Sequence, residues 1–335
     1  MDSMETGLVD GRGRRVSYLR LSVTDRCNLA CRYCVRENPQ FIPHQEILRF
    51  EEMQRLVFLA QQLGISKVRL TGGEPLVRKG CIDFVQRLLA VRPALDVRLT
   101  TNGSMLAPRL ASLALAGFRR VNVSLDTLNA KKFRAITGRD LLGAVLESIH
   151  EALRLGVRVK INAVGLRGVN DDELESFLRV AAEHSLDVRF IELMPIGPCT
   201  TWTKEHLWPA ADILERAKKL AELRPLDRRG PSSGPADVYE IAGGKGRFGV
   251  IAPLTDHFCG LCNRLRVTAD GRLRTCLFSE RTFDLKRALR HPKLGDRSVQ
   301  RIMQGALKTK PMGSELMAAR GPGGYCDSRM SAIGG

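Results

Sequence analysis

Apolar and polar positions follow two alternating rhythms from Val16 to Glu192. Met53, Leu56, Val57, Ala60 and Leu63 recur at helical spacing and stop at Gly64, and Lys67–Thr71 then reads as a strand. Ile82–Leu89 predicts a helix, Val97–Thr100 a strand, Leu110–Ala116 a helix ended by Gly117, and Val121–Leu125 a strand. Leu142, Val145, Leu146, Ile149, Ala152 and Leu153 predict a helix ended by Gly156, followed by a strand over Val157–Ala163. Leu174, Phe177, Leu178 and Ala181 mark another helix, and Val188–Ile191 another strand. Strands alternating with helices imply right-handed βαβ units on a parallel sheet. About six strands precede Pro195, against the eight of a closed barrel. The expected fold is therefore α/β, a partial, open (β/α)6 TIM-like barrel.

The rhythm weakens after Pro195. A helical patch spans Ala211–Leu223, and Gly230–Pro235 reads as a surface loop. The expected organisation is a flexible N-terminus over 1–13, the partial barrel over 14–195 and a C-terminal region over 196–335. Sheets of this type carry reactive groups at the C-terminal ends of their strands. Those ends are chemically rich here: Thr24-Asp25, Thr71-Gly72-Gly73-Glu74, Thr100-Thr101-Asn102-Gly103, Ser124-Leu125-Asp126 and Glu192-Leu193-Met194. Val157–Asn162 alternates apolar and polar residues, as a buried parallel strand does when one face lines an occupied lumen. Arg69 and Thr71 share a face for the same reason.

Composition narrows the choice of ligand. The 335 residues are 44% hydrophobic and 27% charged, which suits a globular protein with a real core. No uncharged apolar run approaches the roughly 18 residues of a membrane span. Met1–Arg15 lacks the apolar centre of a signal peptide, so no membrane and a cytoplasmic location are expected. The net charge of +17 serves solubility or an anionic partner, and charge alone does not choose between them. There is no run of consecutive basic residues and aromatics are only 5%, so a polyphosphate is favoured and nucleic acid is not.

Nine cysteines in such a chain argue against a disulfide framework. Cys81, Cys199 and Cys326 are isolated and read as thiols without a role. Cys27, Cys31 and Cys34 place three thiolates in one loop. Structural zinc normally takes four ligands, whereas three thiolates suit a cubane cluster with one iron open. Zinc completed by His44 is the alternative, and Tyr33 with Gly72-Gly73-Glu74-Pro75 favours the cluster. Cys259, Cys262 and Cys276 form a second set that His257 could complete as a zinc site. Between them, Arg264 and Arg266 flank Leu265, which puts both guanidiniums on one face of an extended segment, suited to phosphate.

Cys27-Asn28-Leu29-Ala30-Cys31-Arg32-Tyr33-Cys34 with Gly72-Gly73-Glu74-Pro75 resembles the radical S-adenosylmethionine superfamily. From about Arg14 to Gly335 the chain resembles one of its families, the molybdenum cofactor biosynthesis protein A family. Arg20–Cys27, Arg69–Pro75, Thr100–Gly103, Asn122–Asp126, Arg189–Met194, the second cysteine set and the terminal Gly-Gly carry the resemblance. It implies two [4Fe–4S] clusters, on Cys27, Cys31 and Cys34 and on Cys259, Cys262 and Cys276. It implies S-adenosyl-L-methionine contacts from Tyr33, Gly73, Ser124 and Met194. It implies GTP contacts from Arg20, Arg69, Thr100, Lys160, Arg264, Leu265 and Arg266, with Arg189 nearby.

The implied reaction is cyclisation of GTP to 3′,8-cyclo-7,8-dihydro-GTP. A 5′-deoxyadenosyl radical takes hydrogen from C3′, and the carbon radical attacks C8. Implied partners are a reducing electron donor and the next pathway enzyme, cyclic pyranopterin monophosphate synthase, with the chain a monomer or homodimer. The Gly334-Gly335 tail is implied to reach the active site. Val35-Arg36 stands where the family usually has Met-Pro. The alternatives are a peptide-modifying maturase of the same superfamily and a zinc-containing nucleic-acid binder.

Overall fold

The computed structural model describes residues 7–34, 40–91, 94–197, 205–227, 234–321 and 324–334. Val35-Arg36, Cys199, most of the Gly230–Pro235 loop and Gly335 lie outside them. The strands run β1 (Leu8–Val9), β2 (Arg15–Val16), β3 (Tyr18–Ser22), β4 (Lys67–Thr71), β5 (Asp96–Thr101), β6 (Arg120–Ser124) and β7 (Arg158–Gly165). There follow β8 (Asp187–Glu192), β9 (Leu223–Leu226), β10 (Asp237–Ile241), β11 (Arg247–Ile251), β12 (Arg264–Val267), β13 (Arg272–Arg274) and β14 (Phe283–Asp284). Among the described residues β3 to β14 form one sheet in the order β14-β13-β12-β3-β4-β5-β6-β7-β8-β11-β10-β9.

The centre of this order, β3 to β8, is the expected set of strands, each parallel to the next. Helices such as Phe50–Gln62, Leu142–Arg154 and Leu174–Glu183 connect them and cover the sheet's outer face. Their apolar stripes are buried: Met53, Leu56 and Ala60 on the first, Phe177, Leu178 and Ala181 on the third. Sequence reasoning missed the helix over Ala130–Thr137, a short element with three basic residues.

Two further strands extend the parallel run. β11 pairs with β8 and β12 with β3, both parallel. β11 and β12 do not pair with each other, so the curved sheet stays open. Residues 252–263 cross from one edge to the other and carry Cys259 and Cys262 with them. The expected division at 195/196 is therefore not a break in the sheet, because the C-terminal region supplies both of its flanks. β1, within the expected N-terminal stretch 1–13, pairs antiparallel with β2. Asp10 accepts from the backbone of Arg12 and Arg14 and pairs with the Arg14 guanidinium at 2.5 Å, which fixes that turn.

Candidate active site

Strand period two sends every second residue into the lumen. Register then stacks these residues in tiers. One tier runs Arg264, Tyr18, Lys67 and Asp96 across β12, β3, β4 and β5. The next runs Arg266, Arg20, Arg69 and Arg98. Further round, Thr100, Asn122, Lys160 and Asp187 align, then Ser124, Asn162 and Arg189. These side chains, apart from the two aspartates, line a cavity of about 740 Å³.

Four arginines side by side repel one another, which destabilises a sheet unless an anion offsets it; Asp96, paired with Arg98 at 2.6 Å, offsets one of them. Burial and the neighbouring Arg69 and Arg264 lower Arg20 to about 10, with Tyr18 opposing, and burial with Arg20 and Arg264 lowers Arg266 further. The carboxylates lining the cavity are turned elsewhere. Asp126 accepts from Tyr33, and Glu192 from the backbone of Ala210 and Leu254. Asp187, outside the lining, pairs with Lys160 at 2.7 Å and Arg189 at 3.1 Å. Burial followed by Arg189 brings Lys160 down to about 8. Burial alone would raise the Tyr18 phenol, but Arg69, Arg20 and Arg264 outweigh it and bring it to about 7.

Cys27, Cys31 and Cys34 lie at one end of this cavity. Their loop is pinned by backbone bonds, from Ala30 to Thr137 and from Arg32 to Ile136, onto the helix that sequence reasoning missed. Tyr33 donates to Asp126 at 2.5 Å. Gly73 and Glu74 donate to the carbonyls of Thr24 and Arg26. A Cβ on Gly73 would meet Arg26 O at 2.3 Å, so glycine is required for this contact. Glu74 is fully buried and accepts from Thr101 Oγ1, Asn102 N and Leu76 N, which locks two strand ends together. Burial pushes its carboxyl up to about 7. Burial, then Asp126 and the other two thiols, push Cys31 well up.

Cys259, Cys262 and Cys276 lie on the cavity wall formed by β12 and its flanking segments. A Cβ on Gly313 would meet Cys276 Sγ at 3.3 Å and Cys259 Sγ at 3.4 Å, so these sulfurs share one small space. Burial would raise Cys262, but Arg264, Lys310 and Arg266 bring it to about 7. Both trios suit an iron–sulfur cube: three half-buried thiols on one loop or wall, facing a shared space. Among the described residues no three His, Cys, Asp or Glu side chains converge as ligands of one ion do. A cube asks for a wider set, since each thiolate takes a different iron. His44 and His257 are exposed and do not line the cavity.

The C-terminal tail enters the same space. Cys326 N donates to Pro195 O and Gly197 N to Cys326 O, which ties the tail to the segment after Met194. Gly334 O then accepts from Arg266 at 2.6 Å and Arg20 at 3.1 Å. Gly334 has φ +69°, and a Cβ there would meet Thr71 Oγ1 at 2.3 Å.

Of the residues singled out from sequence, the cavity brings together both cysteine sets, Tyr33, Gly73, Ser124, Met194, Arg20, Arg69, Thr100, Lys160, Arg189, Arg264 and Arg266. Leu265 is the exception. The alternation that turns its arginine neighbours inward turns its side chain into the core, where it is 0% exposed. Sequence reasoning did not single out Tyr18, Lys67, Arg98 or Asn122. The alternation in Tyr18–Ser22 and Lys67–Thr71 carried that signal.

Comparison with known proteins agrees with this geometry. Residues 21–181 match the Radical SAM superfamily model, and residues 186–316 match Molybdenum Cofactor Synthesis C. The GTP 3′,8-cyclase of Thermodesulfovibrio yellowstonii is 44% identical over 91% of this chain and 94% of its own. That of Desulforamulus reducens is 42% identical over 98% of this chain and all of its own. Among solved structures, Streptococcus suis SuiB bound to its precursor peptide SuiA has a TM-score of 0.66 at 13% identity, over 93% of this chain and 75% of that one. That likeness concerns the fold alone. The sheet and cavity thus define a radical S-adenosylmethionine protein. Within that class, the chain belongs to the GTP 3′,8-cyclase family. Among the described residues no helix is long and apolar enough to cross a membrane.

Proposed function

We propose that the chain cyclises GTP to 3′,8-cyclo-7,8-dihydro-GTP, the first step of molybdenum cofactor synthesis. The observation that carries this reading is the arginine tier of Arg266, Arg20, Arg69 and Arg98 between two cysteine trios in one cavity. Guanidinium forks match phosphate oxygens, and a triphosphate offsets the repulsion within the tier.

Cys27, Cys31 and Cys34 would hold a [4Fe–4S] cluster with an open iron, which when loaded with S-adenosyl-L-methionine and reduced supplies a radical that abstracts hydrogen. Gly73, Ser124, Met194 and the backbone of Tyr33 would hold S-adenosyl-L-methionine beside it. Arg20, Arg69, Thr100, Lys160, Arg264 and Arg266 would hold GTP, with any contact from Leu265 made by its backbone. Cys259, Cys262 and Cys276 would hold the second [4Fe–4S] cluster at the guanine end. The tail, with Gly334 held by Arg266 and Arg20, would help to exclude water from the reacting atoms. The reading also calls for a reducing donor and for a following enzyme that takes the unstable product.

The experiment is anaerobic purification with iron, sulfide and zinc analysis, followed by incubation with GTP, S-adenosyl-L-methionine and a reductant. Iron with equivalent sulfide, and a GTP-derived cyclised product, are expected. Zinc alone, or S-adenosyl-L-methionine cleavage that GTP does not engage, would reject the reading. The second outcome would favour a peptide substrate.

A further inference from the structure

Lys310 is 4% exposed, and nothing in the reaction scheme uses it. Its Nζ donates to Thr275 O at 2.6 Å and Arg264 O at 2.8 Å, and it stands 3.7 Å from Cys262 Sγ. An ammonium has three donors, and all three are committed here. Thr275 immediately precedes Cys276, and Arg264 follows Cys262 by two residues. One ammonium therefore ties together the two segments that carry the second and third thiols. The first thiol joins the same frame through Arg14, which donates to Cys259 O at 2.8 Å and to Lys310 O at 3.1 Å.

A buried ammonium is costly unless a negative charge lies beside it. Among the described residues no carboxylate is within ion-pair reach of Lys310; the groups facing it are the thiols, Arg14 and Arg264. Three thiolates carrying an iron–sulfur cube would supply the missing charge. Partners outside the ligand set commonly fix ligand orientation and tune the metal.

We infer that Lys310 is a positioning residue for a cluster on Cys259, Cys262 and Cys276, clamping two ligand-bearing segments and setting a fixed positive charge against the thiolates. This rests on reading the second trio as a cluster site. The two roles separate by substitution. Lys310→Met keeps the bulk and removes donor and charge, while Lys310→Gln keeps a donor and removes the charge.

The test is made in the full chain with Cys27, Cys31 and Cys34 replaced by Ala, so that iron reports the second site alone. Iron and sulfide are measured after anaerobic reconstitution, then iron release to a chelator, then the reduction potential by EPR-monitored titration. Lys310→Met should weaken iron retention about 10–100-fold. Lys310→Gln should retain more iron but reduce at a lower potential, because adding an electron is harder once the nearby positive charge is gone. Should Lys310→Met fail to fold, the potential of Lys310→Gln decides alone. Unchanged potential in Lys310→Gln, together with iron retention in Lys310→Met equal to that of the Lys310 parent, would overturn the inference. A parent that binds no iron would overturn the cluster reading itself, and this inference with it.

Discussion

The two cysteine trios have the same ligand count and opposite surroundings. Around Cys27, Cys31 and Cys34 the structure places backbone bonds, the amide of Asn102 and the carboxyls of Glu74 and Asp126, and burial pushes Cys27 and Cys31 up. Around Cys259, Cys262 and Cys276 it places Arg14, Arg264, Arg266 and Lys310; Cys262 comes down to about 7, while burial pushes Cys276 up. Positive charge near a cluster favours its reduced form, so with a cluster on each trio these surroundings would set the two potentials apart. A lower potential at the first trio would suit reductive cleavage of a sulfonium. The cationic surroundings of the second would suit an anionic substrate.

The largest effects come from deleting one end at a time. Cys31→Ala should abolish S-adenosyl-L-methionine cleavage while iron persists at the second site. Cys262→Ala should remove the second cluster and stop cyclisation. EPR titration of the survivor in each variant should give the higher potential for the second site; equal potentials would break the contrast, and loss of all iron in each variant would break the two-cluster model.

The tail comes next. Removing Gly334-Gly335 should leave iron content and folding intact yet cut product formation by about 100-fold, the scale of a misplaced reacting geometry. Gly334→Ala should approach that loss, since its Cβ has no room beside Thr71. Full product formation by the truncated enzyme would return the tail to an ordinary chain end.

Arg264→Ala should weaken GTP binding about tenfold or more, as befits a charged phosphate contact of about 1.5–3 kcal/mol, and leave S-adenosyl-L-methionine binding alone. Arg266→Ala should do the same and also mimic part of the tail deletion, because Arg266 holds Gly334 O. Combining it with the truncation should therefore be less than additive. Calorimetry on both ligands checks this, and equal losses for the two would reject the assignment.

The smallest effect is one of pH. Lys160 stands at about 8, below an ordinary lysine, so it is charged at pH 7 and loses its proton as pH rises through 8. GTP binds the charged form, so affinity should fall by at most about tenfold between pH 7 and 9. Lys160→Arg should flatten that part of the profile; an unchanged slope would assign the titration elsewhere, with Tyr18 the next group to replace.

The strands from β3 to β8 were legible because each has an apolar face and each intervening helix stops at a glycine or changes period. The flanks were not. Gly249 breaks the apolar pattern of β11, and only the three-residue 3-10 turn Cys259–Leu261 lies between β11 and β12, so the strand–helix alternation that signals parallel pairing is missing there. Site residues were legible where a motif carried them, as with the cysteines, or where alternation did, as with Arg264, Arg266 and Lys160. Lys310 and Arg14 were not, because they act through carbonyls that only the folded chain brings near. The turn of Leu265 into the core was not legible for a related reason: its place in a motif says nothing about which way its side chain turns.

The crossing of residues 252–263 also bears on how the chain is made. Synthesis runs from the N-terminus, so β3 and β8 emerge with their outer edges bare, and their partners β12 and β11 follow only later. The roughly 59 residues between Glu192 and Ile251 take about 3–12 s to translate. Through that interval two parallel edges stand open to pairing with other chains. The wall that brings Arg264, Arg266 and the second thiol set is also the one that ends this exposure. A variant that weakens β12 should thus be recovered in lower yield before any loss of turnover is counted, with its defect present in the nascent chain.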